Sequence, residues 1–388
     1  MRVMTLLGTR PEIIRLSRVI AALERTVDHV LVHTGQNYDY ELNEVFFKDL
    51  ELRQPDMFLG IGTQTLGAAL GDVLKGTETA LDKYRPDAFL VLGDTNSCLG
   101  AIMARRLQVP VFHMEAGNRC FDLNVPEETN RRIIDHVADV NLAYTEHARR
   151  NLLAEGLHPR RVYVTGSPMQ EVLAHFRWRI DASTALTDLG LESRGYFLVS
   201  LHRQENVDSP EQLRELVAMM EALHARHELP VVVSTHPRTR ARLEDAGIST
   251  DIAGIRFLAP FGFHDYNKLQ IESRCVLSDS GTISEESAIL GFPAVTVRNA
   301  MERPEAMDAG TIILSSTVSR AVLQAVEITL AQWDAGEVPP IPTDYTVPDT
   351  SRRVVNVIAG LAGLHNRWAG IRAVAGAVRA DESGGEER

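Results

Sequence analysis

Short apolar runs of strand length alternate with stretches of helical apolar spacing along most of this 388-residue chain, which is the sequence form of parallel βαβ units. Strands are expected at residues 3–7, 30–33, 88–92, 111–114 and 140–143, with helical stretches between them that include 15–25 and 99–107. A second series follows at 196–200, 231–234, 255–258, 276–278 and 294–297. Two halves of similar build result. The segment from about 166 to 194, with a helix-like 169–178, is the expected join. No low-complexity linker separates the halves, so they are expected to pack across a cleft. A terminal helix is expected from 350, and the polar end from Asp381 to Arg388 is expected to be disordered.

Composition narrows the partners. The length and a hydrophobic content of 44% suffice for two cores. A formal net charge of -12 argues against nucleic acid or an anionic membrane surface as a main partner, so any anionic ligand needs a local cluster of cations. The three cysteines, Cys98, Cys120 and Cys275, are too few and too scattered for a disulfide framework or a zinc site. No leader pattern opens the chain, and no run approaches the ~20 apolar residues of a spanning helix. A soluble, cytoplasmic protein is expected.

In open parallel sheets, ligands sit beyond the carboxyl ends of the strands, and these positions are rich in chemistry here. Gly8-Thr9-Arg10 follows the first strand, Gly35-Gln36 the second, Gly93-Asp94-Thr95-Asn96 the third and Glu115-Ala116-Gly117-Asn118-Arg119 the fourth. The second series offers His202-Arg203-Gln204-Glu205-Asn206, His236-Pro237-Arg238 and Asp279-Ser280-Gly281-Thr282. Arg10 and Arg15 flank a helix start marked by Pro11, where free N–H groups already favour negative charge. Alone, they also suit a tight turn with two solvated arginines.

Asp279 to Glu286 ends a strand and opens a helix, with small residues where a phosphate can approach the backbone, and Glu286 about one turn in, where it can accept hydrogen bonds from ribose hydroxyls. An ordinary helix cap with first-turn acids explains those acids but not the matching motifs elsewhere. His202 and Arg203 suit a diphosphate, as donor and bidentate partner. A lone His202 reads as a solvated loop; beside His236 and Arg238 it points to an anion cleft.

Asp94, Glu115 and Glu127 form a carboxylate group able to include both an acid and a base. Glu128 reads as a first-turn acid and His113 as a packed histidine. No spacing suggests a catalytic metal. Gly60-Ile61-Gly62-Thr63-Gln64-Thr65 lacks the third glycine and the preceding strand of a dinucleotide fingerprint, and no phosphate-loop Gly-Lys-Ser/Thr or Gly-x-Ser-x-Gly elbow occurs.

Jointly these residues resemble the non-hydrolysing UDP-N-acetylglucosamine 2-epimerase family. Its motifs stand here as Gly8-Thr9-Arg10-Pro11-Glu12, Thr34-Gly35-Gln36, Gly93-Asp94-Thr95, Glu115-Ala116-Gly117, Pro126-Glu127-Glu128, His202-Arg203-Gln204-Glu205-Asn206, Asp279-Ser280-Gly281 and Glu302-Arg303-Pro304-Glu305.

The resemblance implies an α/β, GT-B-like fold of two Rossmann-like domains with parallel sheets facing across a cleft. Residues 1–168 form the first, rejoined by a C-terminal helix 350–378; residues 169–349 form the second, and 381–388 a disordered tail. It implies UDP held mainly by the second domain, with Ser280 and Gly281 at the diphosphate, Glu286 on the ribose, and the 257–263 loop, including Phe263, near the uracil. Arg10, Arg15, His202, Arg203, His236 and Arg303 complete the implied substrate contacts. Asp94, Glu115, Glu127 and His202 map to the catalytic set, without cofactor or metal. A homodimer is also implied.

The C2 proton of an N-acetylhexosamine is not alpha to a carbonyl, and oxidation calls for a nicotinamide site, which leaves elimination. The family chemistry agrees: UDP leaves across C1–C2 to give 2-acetamidoglucal and is re-added after a proton returns to the other face, interconverting UDP-GlcNAc and UDP-ManNAc. The chain departs from the family pattern twice, with Arg15 where lysine is usual and with Asn37-Tyr38-Asp39-Tyr40 after Gln36 in place of a His-Arg type continuation. The runs 33–47 and 263–270 look more like the branch that epimerises 6-deoxy sugars of the N-acetylfucosamine type, which is the alternative substrate. A GT-B glycosyltransferase, a hydrolysing epimerase and a silent UDP-sugar sensor are the competing functions.

Overall fold

In the computed structural model, which describes residues 1–35, 46–62 and 65–371, all ten expected strands are present within two residues of their expected ends. The first sheet runs β1 (Arg2–Leu7), β2 (Asp28–His33), β3 (Met57–Phe58), β4 (Ala88–Leu92), β5 (Val111–Met114), β6 (Val140–Ala143) and β7 (Val162–Val164). Its spatial order is β3-β2-β1-β4-β5-β6-β7, parallel throughout.

The second holds β8 (Phe197–Ser200), β9 (Val231–Ser234), β10 (Asp251–Ile252), β11 (Ile255–Leu258), β12 (Cys275–Ser278), β13 (Ala294–Thr296) and β14 (Ile313–Leu314). Its order is β10-β11-β9-β8-β12-β13-β14, and only β10 is antiparallel to its neighbour. The unforeseen strands β3, β7, β10 and β14 are the sheet edges, each two or three residues long and too short for a pattern to register.

The pleat sorts the apolar residues. Val3 and Leu7 of β1 enter one buried cluster with Ile13, Leu16 and Ile20 of the helix Arg10–Thr26, while Met4 and Leu6 enter another with Val91 and Ala101. The second sheet is covered on both faces in the same way, with Phe197 and Val199 on one side and Tyr196 and Leu198 on the other. This burial on both faces is what all-parallel strands require.

Two crossings link the halves. The helix Met169–Asp181 buries Val172, Leu173 and Phe176 in the same cluster as β1, and also touches helices of the second half. The helix Thr350–Leu361 returns to pack Val354 and Ile358 against Arg10–Thr26. The crossings lie side by side: the Ser167 amide donates to the Asp344 carbonyl at 3.2 Å and the Thr350 hydroxyl to the Ser167 carbonyl at 3.1 Å.

The terminal helix expected over 350–378 ends at Leu361, after which Ala362 and Gly363 turn into the short helix His365–Trp368. Glycine at 360 and 363 weakens a helical continuation. The remainder of that expected helix, the 381–388 tail, the motif residues Gln36 to Tyr40 and the pair Thr63-Gln64 lie outside the described residues. Among the described residues no helix is long and apolar enough to cross a membrane.

Candidate active site

Both sheets turn the carboxyl ends of their central strands toward one cleft, at the points where strand order reverses, β1 beside β4 and β8 beside β12. The cleft spans about 1300 Å³ when counted out to open solvent.

On the first wall, Gly8 leads from β1 into the helix Arg10–Thr26. A methyl group there would come within 2.2 Å of Thr34 Oγ1, so the turn needs glycine. Glu12 reaches back and accepts from the amides of Gly8 at 2.9 Å and Thr9 at 2.7 Å, which serves two helix-start donors. Its other oxygen accepts from Thr95 at 3.1 Å and from Ser97, tying the first turn to the Asp94 loop. Burial raises the Glu12 pKa against these hydrogen bonds.

Arg10, at the head of the helix, lies 5.4 Å above the Phe46 ring and makes no hydrogen bond or ion pair with another described residue. Burial lowers its pKa, with Tyr266 and Glu286 acting the other way. A desolvated guanidinium without a bonded partner is a place for an anion.

The three carboxylates have three settings. Asp94 follows Gly93, whose φ is 75°, and is paired with Arg131 Nε at 2.7 Å. His113 bridges the Gly93 carbonyl at 2.8 Å and Asp135 at 2.9 Å, supporting that turn as a packed histidine. Glu115 stands at φ 66°, a left-handed conformation that non-glycine residues adopt at a cost. Its two oxygens are taken by Arg15 and, at 2.7 Å, by Arg303 from the other half. Glu127, in the first turn of the helix Pro126–Val137, lines the cleft, and its carboxylate bonds to no described residue.

Asp279 organises the second wall. Its Oδ2 accepts from the amides of His202 and Arg203 and from Asn206 Nδ2, each at 2.9 Å, and its Oδ1 lies 3.0 Å from His202 Nδ1. Burial works to raise its pKa, but His202 and the donated hydrogen bonds win and hold it at about 2. Ser280 and Gly281 follow, opening onto the helix Ile283–Leu290. At Gly281 a methyl group would come within 2.5 Å of Glu302 Oε1.

Glu302 is itself fixed, 2.8 Å from Arg298 and 3.6 Å from Arg203; despite burial these cations keep its pKa well below the usual carboxylate range. Glu286 is buried, accepts from Gln270 at 2.7 Å and has its pKa raised by burial. Phe263, at the start of the helix Phe263–Glu272, borders the cleft and stacks edge-on against Phe176 with centroids 6.1 Å apart.

Of the residues singled out from sequence, Arg10, Arg15, Asp94, Glu115, Glu127, His202, Arg203, Phe263, Ser280, Gly281 and Glu286 border this one cleft. His236 does not. It caps the helix Pro237–Asp245 by accepting from the Arg238 amide, with its ring 6.1 Å from that of His202, and burial takes its pKa to about 4, which leaves it uncharged at neutral pH. Arg238 is paired with Asp208 at 2.6 Å. Arg303 lies behind the wall, bonded to Glu115, Glu285 and the Gly281 carbonyl. Sequence reasoning gave no role to Glu12, Arg131, Tyr266 or Glu302. Arg131 stands one helical turn after Glu127, a spacing that could have marked it. Among the described residues no His, Cys, Asp or Glu group is arranged to hold a metal.

Fold and site together define a GT-B-like α/β protein with cations and carboxylates gathered where its two sheets meet. A sequence profile described as UDP-N-acetylglucosamine 2-epimerase matches residues 21–359. The structure of UDP-N-acetylglucosamine 2-epimerase from Rickettsia bellii superposes with a TM-score of 0.89 at 45% identity, covering 96% of this chain and 100% of that one. That of the Methanocaldococcus jannaschii UDP-GlcNAc 2-epimerase in complex with UDP-GlcNAc and UDP gives 0.87 at 34% identity, covering 93% and 100%. The UDP-2,3-diacetamido-2,3-dideoxy-D-glucuronate 2-epimerase of Pseudomonas aeruginosa is 34% identical over 86% of this chain and 93% of its own length. The chain belongs to the UDP-N-acetylglucosamine 2-epimerase family.

Proposed function

We propose that this protein interconverts UDP-N-acetylglucosamine and UDP-N-acetylmannosamine by eliminating UDP to 2-acetamidoglucal and adding it back. The observation that carries the reading is one cleft that Asp94, Glu115, Glu127 and Arg10 line from the first half and His202 and the Ser280-Gly281 turn line from the second. Loss of UDP needs charge stabilisation on the diphosphate, which Arg10, His202 and the backbone at Gly281 supply. Inversion at C2 needs proton exchange on both faces, which the three carboxylates share. Glu286 takes the ribose hydroxyls, and Phe263 lies toward the uracil. The reading includes closure of the half 1–168, with its returning helix, on the half 169–349, and a cytoplasmic homodimer.

Proton NMR of UDP-GlcNAc with the protein in D2O tests it. The expected result is UDP-ManNAc with deuterium at C2, and a C2 proton that never exchanges rules the reaction out for this substrate. The names of the relatives favour UDP-GlcNAc over a 6-deoxy sugar. The Pseudomonas relative makes UDP-2,3-diacetamido-2,3-dideoxy-D-glucuronate the second substrate to run.

A further inference from the structure

A buried ion pair joins the halves at the cleft. Arg303 is 2% exposed and belongs to the second half, yet its Nη2 stands 2.7 Å from Glu115 Oε1 of the first. Its Nη1 is 2.7 Å from Glu285 Oε2 and donates to the Gly281 carbonyl. One planar fork therefore touches a carboxylate of the proton-exchange set, the turn assigned to the diphosphate, and the helix that follows that turn. Arg15 holds the other oxygen of Glu115. Two guanidiniums and two carboxylates cancel in charge, so this group has no vacancy for a substrate anion.

We propose that Arg303 is a positioning residue that couples occupation of the Ser280-Gly281 turn to the setting of Glu115. The inference rests on the functional reading above, which places UDP at that turn and gives Glu115 proton work. A guanidinium fork has fixed geometry, so a movement of the Gly281 carbonyl passes to the carboxylate instead of being absorbed by a flexible stem. Glu115 needs outside support because its backbone is left-handed at φ 66°. With the halves apart, Glu115 loses one of its two guanidiniums. Its setting is complete only when the second half is seated, which links proton removal at C2 to a held leaving group.

Arg303→Lys keeps the charge balance of the buried group while losing the fork, and is the deciding variant. Arg303→Met with Glu285→Gln is the neutral second variant, and far-UV dichroism checks the fold of each. The expected outcome for Arg303→Lys is a kcat about 100-fold lower with UDP affinity within about threefold of wild type. More of its turnovers should end in free 2-acetamidoglucal and UDP. A kcat within about threefold of wild type, or UDP affinity falling in step with kcat, overturns the proposal.

Hydrogen exchange reads the coupling whichever sugar is the substrate. UDP should slow amide exchange at residues 115–119 in wild type and not in Arg303→Lys. Protection that survives the substitution overturns the coupling, whereas a wild type that binds no UDP overturns the functional reading.

Discussion

A methyl group at Gly281 would meet Glu302 Oε1 at 2.5 Å, and Glu302 cannot yield because Arg298 and Arg203 hold it. Gly281→Ala is expected to weaken UDP binding by at least about tenfold, or ~1.4 kcal/mol, without unfolding the chain. A calorimetric titration with UDP checks this, and an unchanged affinity would remove the turn from the site. Acid sensitivity is also set by single residues. His33 Nδ1 accepts from the Gly35 amide at 2.8 Å and so stays unprotonated there, and burial takes both His33 and His29 from 6.5 to about 4. Between those values the unfolded chain binds protons that the native one refuses, so stability is full above about pH 6.5 and is lost as the pH falls toward about 4. The thermal midpoint should drop across that window, and His33→Asn should make the drop shallower; an equal slope contradicts the assignment.

The charged residues at strand ends were legible because alternation locates the strand ends. Their partners were not. Glu12 reaches Ser97 across 85 positions and Arg131 reaches Asp94 across 37, separations that no local pattern encodes.

Elements of ordinary length were readable from spacing and punctuation. Pro11 and the apolar spacing after it announce the helix Arg10–Thr26, whose cap at Thr9 the structure completes with Glu12. Glu12→Ala takes an acceptor from the two amides and from the Thr95 and Ser97 hydroxyls, an expected cost of about 1–3 kcal/mol by chemical denaturation. A cost near zero would mean that water replaces the carboxylate. The two-residue strands gave no signal, since their pairing is imposed by the neighbour strand. The terminal helix stops at Leu361, between Gly360 and Gly363, with Ile358 the last fully buried position on its inner face. Ile358→Ala should destabilise the protein by about 2–4 kcal/mol in urea unfolding, and much less would mean that the helix is dispensable.

At the scale of the whole molecule, the two-sheet plan followed from two series of strands, and the cleft followed from where parallel sheets present their loops. Which half owns the joining helix did not. The helix Met169–Asp181 was expected to open the second half, yet its apolar face sits in the first core, because packing partners decide membership and sequence order does not. If UDP is held from both walls, small-angle scattering should show compaction at saturating UDP. Identical profiles with and without UDP would count against closure.

The returning helix also constrains how the chain is made. A core that contains both Val3 and Ile358 cannot be completed as the first half leaves the ribosome. Its opening 168 residues must wait, part of their apolar surface uncovered, while the second half is synthesised and folds between them and their last partner.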